Sequence, residues 1–266
     1  MRAGRPAGER QPSEDTLRGI APSAEIRTDV TGRMCAPRAV VPARTSLFAA
    51  FLAAAALAVV AFGLPAQGAA GPVVSIEFSD PGLSPQHWTL ILHADGSGHF
   101  RSQRGDVPPS SLQTIDAPDV DRDIRLSAQF ADRVFQTARR HKLFNSACES
   151  HMKVAFQGWK KLSYAGPEGQ GACEFNYSKD KDIQALGDSL VAVSSTILEG
   201  ARLETLLQHD RLGLDKEMEY LVEASGDGRV QQICVIRETL ERLAQDQDVM
   251  ERVRKRARGL LARVEE

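Results

Sequence analysis

His87, His93 and His99 stand six residues apart, and the last two bracket Asp95-Gly96-Ser97-Gly98. Asp-Gly followed by a second glycine is a hairpin signal, because glycine supplies positive φ without a Cβ penalty. If the loop takes residues 94–98, the His93 and His99 imidazoles face each other across the hairpin. With His87 or Asp95 they would then offer an imidazole–carboxylate set suited to a metal, and the alternative function would be a metal-assisted enzyme. Spacing alone does not define the third ligand, and exposed histidines at a hairpin end are equally consistent with no special role.

Other candidates are plainer. Serines are plentiful, but none sits in a G-x-S-x-G elbow or in an S-x-x-K box placed on a helix. Asp180, Asp182 and Asp188 lack the glycine and closing glutamate of a calcium loop and read as residues that cap and open a helix. His141 suits a helix C-terminus, and His151 is a loop residue. The expectation is therefore no catalytic residue, no cofactor and no metal beyond the His93/His99 candidate. Arg104-Gly105-Asp106 spells an integrin triplet, but a triplet in a polar loop carries no argument.

Cysteine chemistry says more. Cys148 precedes and Cys173 follows a stretch read as a hairpin over 152–164, with Val154 and Phe156 leading to Gly158 and Leu162 and Tyr164 returning. A hairpin brings its flanks together, so a Cys148–Cys173 disulfide is expected, worth about 3 kcal/mol in the loop-entropy account. Cys234, beside Ile233 on an apolar helix side, reads as a buried structural thiol. There is no C-x-x-C and no haem motif.

A disulfide needs an oxidising compartment, and the N-terminal region supplies a route to one. Residues 47–64 are apolar and uncharged, Arg38 and Arg44 precede them, and Ala66-Gln67-Gly68 follows Pro65. That is a secretory-signal pattern with cleavage before Ala69. An uncleaved anchor of minimal length is the other outcome, and membrane contact is then confined to 47–64. Residues 1–45 carry eight arginines against five acids and read as disordered, with Met34 as a neater start. The expected location is the periplasm or the outer face of the cytoplasmic membrane. The rest of the chain holds 25 basic against 30 acidic residues, which argues against a nucleic-acid partner.

The elements that must position these residues follow from periodicity. Val74, Ile76 and Phe78 alternate with polar residues, as do Trp88, Leu90 and Leu92, and Phe100 lies on the returning strand. Residues 103–122 read as a polar loop before a short strand at Ile124 and Leu126. Ser127 caps a helix over 128–142 with Phe130, Val134, Phe135 and Ala138 inward. Cys173, Phe175 and Tyr177 share a strand face. Helices are expected from Asp180 or Asp182 onward (with a mild break at Gly200), over 215–224, over 229–245 and over 248–264. Glu238–Arg242 and Glu251–Lys255 stand at favourable ion-pair spacing. The fold class is α+β: a largely antiparallel sheet with packed helices, then a C-terminal helical hairpin. The expected division is a domain over 69–210 and a helical segment over 211–266, after the leader at 46–68.

The tail over 229–264 resembles one unit of a HEAT-type helical repeat, through Asp248, Val253, Arg254, Ala257 and Leu261. No second copy accompanies it, and a solenoid needs about three, so a helical pair packed on the sheet domain describes it equally. Ser84-Pro85 through Phe100, with Trp88 and the Asp95–Gly98 turn, is similar to uncharacterised exported bacterial α+β domains. That resemblance implies an extracytoplasmic domain and no activity. The function expected is a non-catalytic binding or scaffold module. The basic run Arg252, Arg254, Lys255, Arg256 and Arg258 is a candidate partner surface, set against a solvated helix end.

Overall fold

The computed structural model describes residues 71–103, 105 and 119–265. The apolar run 47–64, the tract before it and the Arg104-Gly105-Asp106 triplet as a unit lie outside the described residues. Among the described residues no helix is long and apolar enough to cross a membrane.

Six antiparallel strands form one sheet: β1 (Val73–Ser79), β2 (His87–His93), β3 (Ser97–Gln103), β4 (Val120–Arg125), β5 (Trp159–Gly166) and β6 (Gly169–Phe175), in the order β4-β3-β2-β1-β5-β6. Alternation decides which face is buried. Val74, Ile76 and Phe78 lie beside Leu92, Leu90 and Trp88 in register, with Phe100 and Leu162 continuing the layer. The opposite face carries Glu77, Arg101, Asp121 and Asp123 and stays exposed, the usual one-sided burial of an antiparallel sheet.

Helix α1 (Ala128–Arg140) opens on Ser127, whose hydroxyl accepts from Phe130 N–H at 3.3 Å, and buries the expected stripe. Helix α2 (Lys181–His209) opens on Asp180, whose carboxylate accepts from the Asp182 and Ile183 N–H groups. It runs through Gly200 without a break. The glycine is needed because Ile236 packs where its Cβ would stand. The N-terminal half of α2 belongs to the sheet core, while Leu203 and Leu206 belong to a second core with α3 (Leu214–Asp227), α4 (Arg237–Gln245) and α5 (Glu251–Glu265). The fold is thus α+β with a C-terminal helical hairpin, α4 against α5.

Four local expectations are corrected. Residues 152–158 form no strand: both edges of β5 are taken, by β1 and by β6, so no partner edge remains for Val154 and Phe156. The polar stretch ends at β4, which starts at Val120. The helix expected from 229 begins at Arg237, because Gln232 is left-handed and Gln231 exchanges hydrogen bonds with the Thr196 hydroxyl instead of continuing a helix. Cys234 is disulfide-bonded and only half-buried, not a buried thiol, and its bond is to a residue outside the described ones.

Candidate functional site: a stapled apolar loop

The His-based arrangement does not assemble. The β2–β3 loop is three residues, 94–96, so His99 stands opposite Ile91 rather than His93. Gly96 takes φ +81°, and the Asp95 carboxylate accepts from Ser97 N–H and its hydroxyl. His87 lies at the other end of β2, opposite Gln103, its Nδ1 2.9 Å from the Phe78 carbonyl oxygen. Both nitrogens of His99 are engaged, Nδ1 with Asp123 at 2.9 Å and Nε2 with Asp121 at 3.0 Å. The Asp123 hydrogen bond, helped by the charge on Asp121, holds the imidazole above its ordinary range despite some desolvation. Among the described residues no group of three or more His, Cys, Asp or Glu side chains is placed to hold a metal. Asp180 and Asp182 take His141 at the α1 C-terminus, and Asp188 takes Gln184.

The disulfide does form: Cys148 and Cys173 are bonded with Cα atoms 5.7 Å apart. Its geometry has a different origin from the hairpin expected. After α1 the chain makes a left-handed turn at Lys142, Leu143 and Phe144, all with positive φ. Each such residue costs about 1–2 kcal/mol, and the full burial of Phe144 offsets this. The turn lies against β6, with the Leu143 carbonyl over Gly171, and delivers Cys148 beside Cys173.

Beyond the staple, residues 151–157 are all exposed. Met152, Val154, Phe156 and Trp159 are 51%, 36%, 49% and 43% accessible. Phe156 and Trp159 meet edge to face, ring centroids 6.2 Å apart. Scattered apolar residues on a surface are ordinary, whereas four together in one loop are a contact-surface signal.

The loop's backbone is held from below by Asn176. Its side-chain oxygen accepts from Gln157 N–H at 2.7 Å, its amide nitrogen donates to the Ala155 carbonyl at 3.4 Å, and its backbone N–H donates to Glu149 at 2.7 Å. Glu149 also accepts from His151 N–H at 2.9 Å, and the Ser150 hydroxyl accepts from Met152 N–H. Burial pushes the Glu149 carboxyl up, but the N–H groups of Asn176, His151 and Tyr177 outweigh it and hold it below the usual carboxylate range. Under Asn176 lies Lys160, 2% exposed on the core face of β5. It donates to the Asn176 carbonyl at 3.2 Å with the Phe175 ring 5.7 Å away. Desolvation lowers its ammonium pKa, against the opposing pull of Asp188 and Glu149. Gly158 closes the loop at φ +87°, where the Phe78 ring occupies the place of a Cβ.

The other candidate surface is neutralised. Arg252 and Arg256 each reach Asp215 at 2.6 Å, and Arg254 and Arg258 reach Glu251 at 2.5 and 2.6 Å. The expected Glu251–Lys255 pair is thus replaced by Glu251 with Arg254 and Arg258. In place of Glu238, Arg242 joins Arg122 and Thr239 on Glu204.

No protein-family model matches the chain, and no curated protein matches it significantly.

Proposed function

We propose that this chain works outside the cytoplasm as a non-catalytic binding module whose contact surface is the 151–159 loop. The observation that carries the reading is four exposed apolar side chains on a backbone pinned by Asn176 and Glu149 and stapled at its foot by Cys148–Cys173. Pre-pinning reduces the ordering cost of binding, which is what distinguishes a contact loop from a connection. The extracytoplasmic part rests on the signal-like sequence at 47–64 and on the staple, since disulfides persist mainly in oxidising compartments.

A photo-crosslinking residue placed at Phe156, and separately at Arg101 on the exposed sheet face, tests the reading in cells. Adducts to lipid or protein at position 156 and not at 101 are expected. Equal labelling at both positions, or none at 156, would refute it.

A further inference from the structure

Resting on that reading of the loop, we propose that its partner is an anionic bilayer surface, into whose headgroup zone Met152, Val154, Phe156 and Trp159 insert. Three features carry the assignment. The first is composition. From 150 to 161 there is no acidic residue, while Lys153 stands among the four apolar side chains. Tryptophan and phenylalanine beside lysine suit the bilayer interface, where an aromatic body meets acyl chains and cations meet lipid phosphates.

The second is charge. Lys153, Lys179 and Lys181 have no ion pair among the described residues, and the last two lie within four residues of Tyr177, whose carbonyl accepts from Ser150 N–H. Nearby acids are engaged elsewhere. Glu149 is turned inward to N–H groups, Asp180 and Asp182 face His141 and Arg140, and Glu77 holds Lys161. Glu174, across from Lys161 on β6, is the exposed acid closest in register. Each unpaired lysine near an anionic surface adds attraction that salt weakens.

The third is the backbone. The N–H groups of His151, Met152, Val154 and Gln157 already have acceptors within the protein. A loop entering the interface therefore need not strip water from those donors.

Tryptophan emission offers a local test. The chain has two tryptophans, and Trp88 is buried, so a lipid-induced change reports Trp159. The full chain is mixed with phosphatidylglycerol vesicles and with phosphatidylcholine vesicles, each with and without brominated acyl chains. A blue shift and bromine quenching on the anionic vesicles only are expected. Both should be absent in Trp159→Phe and weakened about tenfold in apparent affinity by Lys153→Glu, a two-unit charge change. Trp159 left in water on vesicles that bind the chain through another segment would overturn the proposal, and so would an equal shift on both lipids. If Trp159 stays unshifted while the position-156 crosslinker captures a protein in cells, the bilayer fails and the binding reading stands. If both are silent, both fail.

Discussion

The sheet half and the helical half treat their charged and apolar residues in opposite ways. In the helical half nearly every cation has an answering acid: Asp215 takes two arginines from α5, Glu251 takes two more, and Arg211 reaches Asp246 and Asp248. In the sheet half the 151–159 loop displays four apolar side chains, and Lys153 has no answering acid among the described residues. The contrast teaches that a basic run in a sequence does not mark a partner surface when its own fold supplies the acids. A mixed apolar-basic segment that the fold leaves unanswered is the better marker.

Breaking the staple should have the largest effect on stability. Cys148→Ser with Cys173→Ser is expected to cost about 3 kcal/mol, seen as a lower denaturant midpoint, and to make 150–158 the first site of limited proteolysis. An unchanged midpoint would mean that Asn176 and Glu149 hold the loop unaided.

Glu204 joins the two halves, with Arg122 of β4, Thr239 of α4 and Arg242 converging on it from a half-buried position. Glu204→Ala should cost roughly 2 kcal/mol, because the guanidinium and hydroxyl donors lose a charged acceptor. Chemical denaturation would measure it.

A pH experiment sharpens the comparison inside the helical half, where one acid is left without a donor. Glu199 sits on α2 facing Glu217 of α3, with Arg202 3.9 Å from it and 3.2 Å from Glu217. Its Oε2 is buried without a donor. Burial above all, then the Glu217 contact, pushes its pKa up to about 8 against the pull of Arg202. The folded state therefore holds a proton that the unfolded chain releases near 4.5. The linked stability is full below that unfolded value, declines as pH rises toward 8, and is absent above it. Glu199→Gln should match the wild type near pH 5 and melt about 3–6 °C higher near pH 9. A parallel decline in both proteins would assign the alkaline loss to another group.

The smallest stability change belongs to the loop surface. Met152→Ser with Phe156→Ser should shift unfolding by no more than about 0.5 kcal/mol, since both side chains are already in water. A larger loss would mean that they pack against something in the folded chain.

The parts readable from sequence were those governed by local pattern. Val74, Ile76 and Phe78, the Asp95-Gly96 turn, the Ser127 and Asp180 caps and the stripe on α1 follow from periodicity and capping chemistry. The same rule misled at 152–156. Met152, Val154 and Phe156 alternate as strand residues do, but whether a strand forms depends on a free edge, and β1 and β6 occupy both edges of β5. The disulfide pairing was legible from its compartment and spacing, while the left-handed turn that positions Cys148 was not. Asn176, Glu149 and Lys160 carry no local signal. Their roles arise only when β5, β6 and the loop meet. Gly200 looked like a helix break because the partner that requires it, Ile236, is 36 positions away.

Hydrogen exchange on the purified, oxidised full chain tests most directly the claim that the loop is a pinned surface. The account predicts that the amides of His151, Met152, Gln157 and Asn176 exchange slowly, each having an acceptor in the fold, while Lys153 exchanges fast. Exchange of 150–158 as one block at the rate of an unstructured peptide would contradict it.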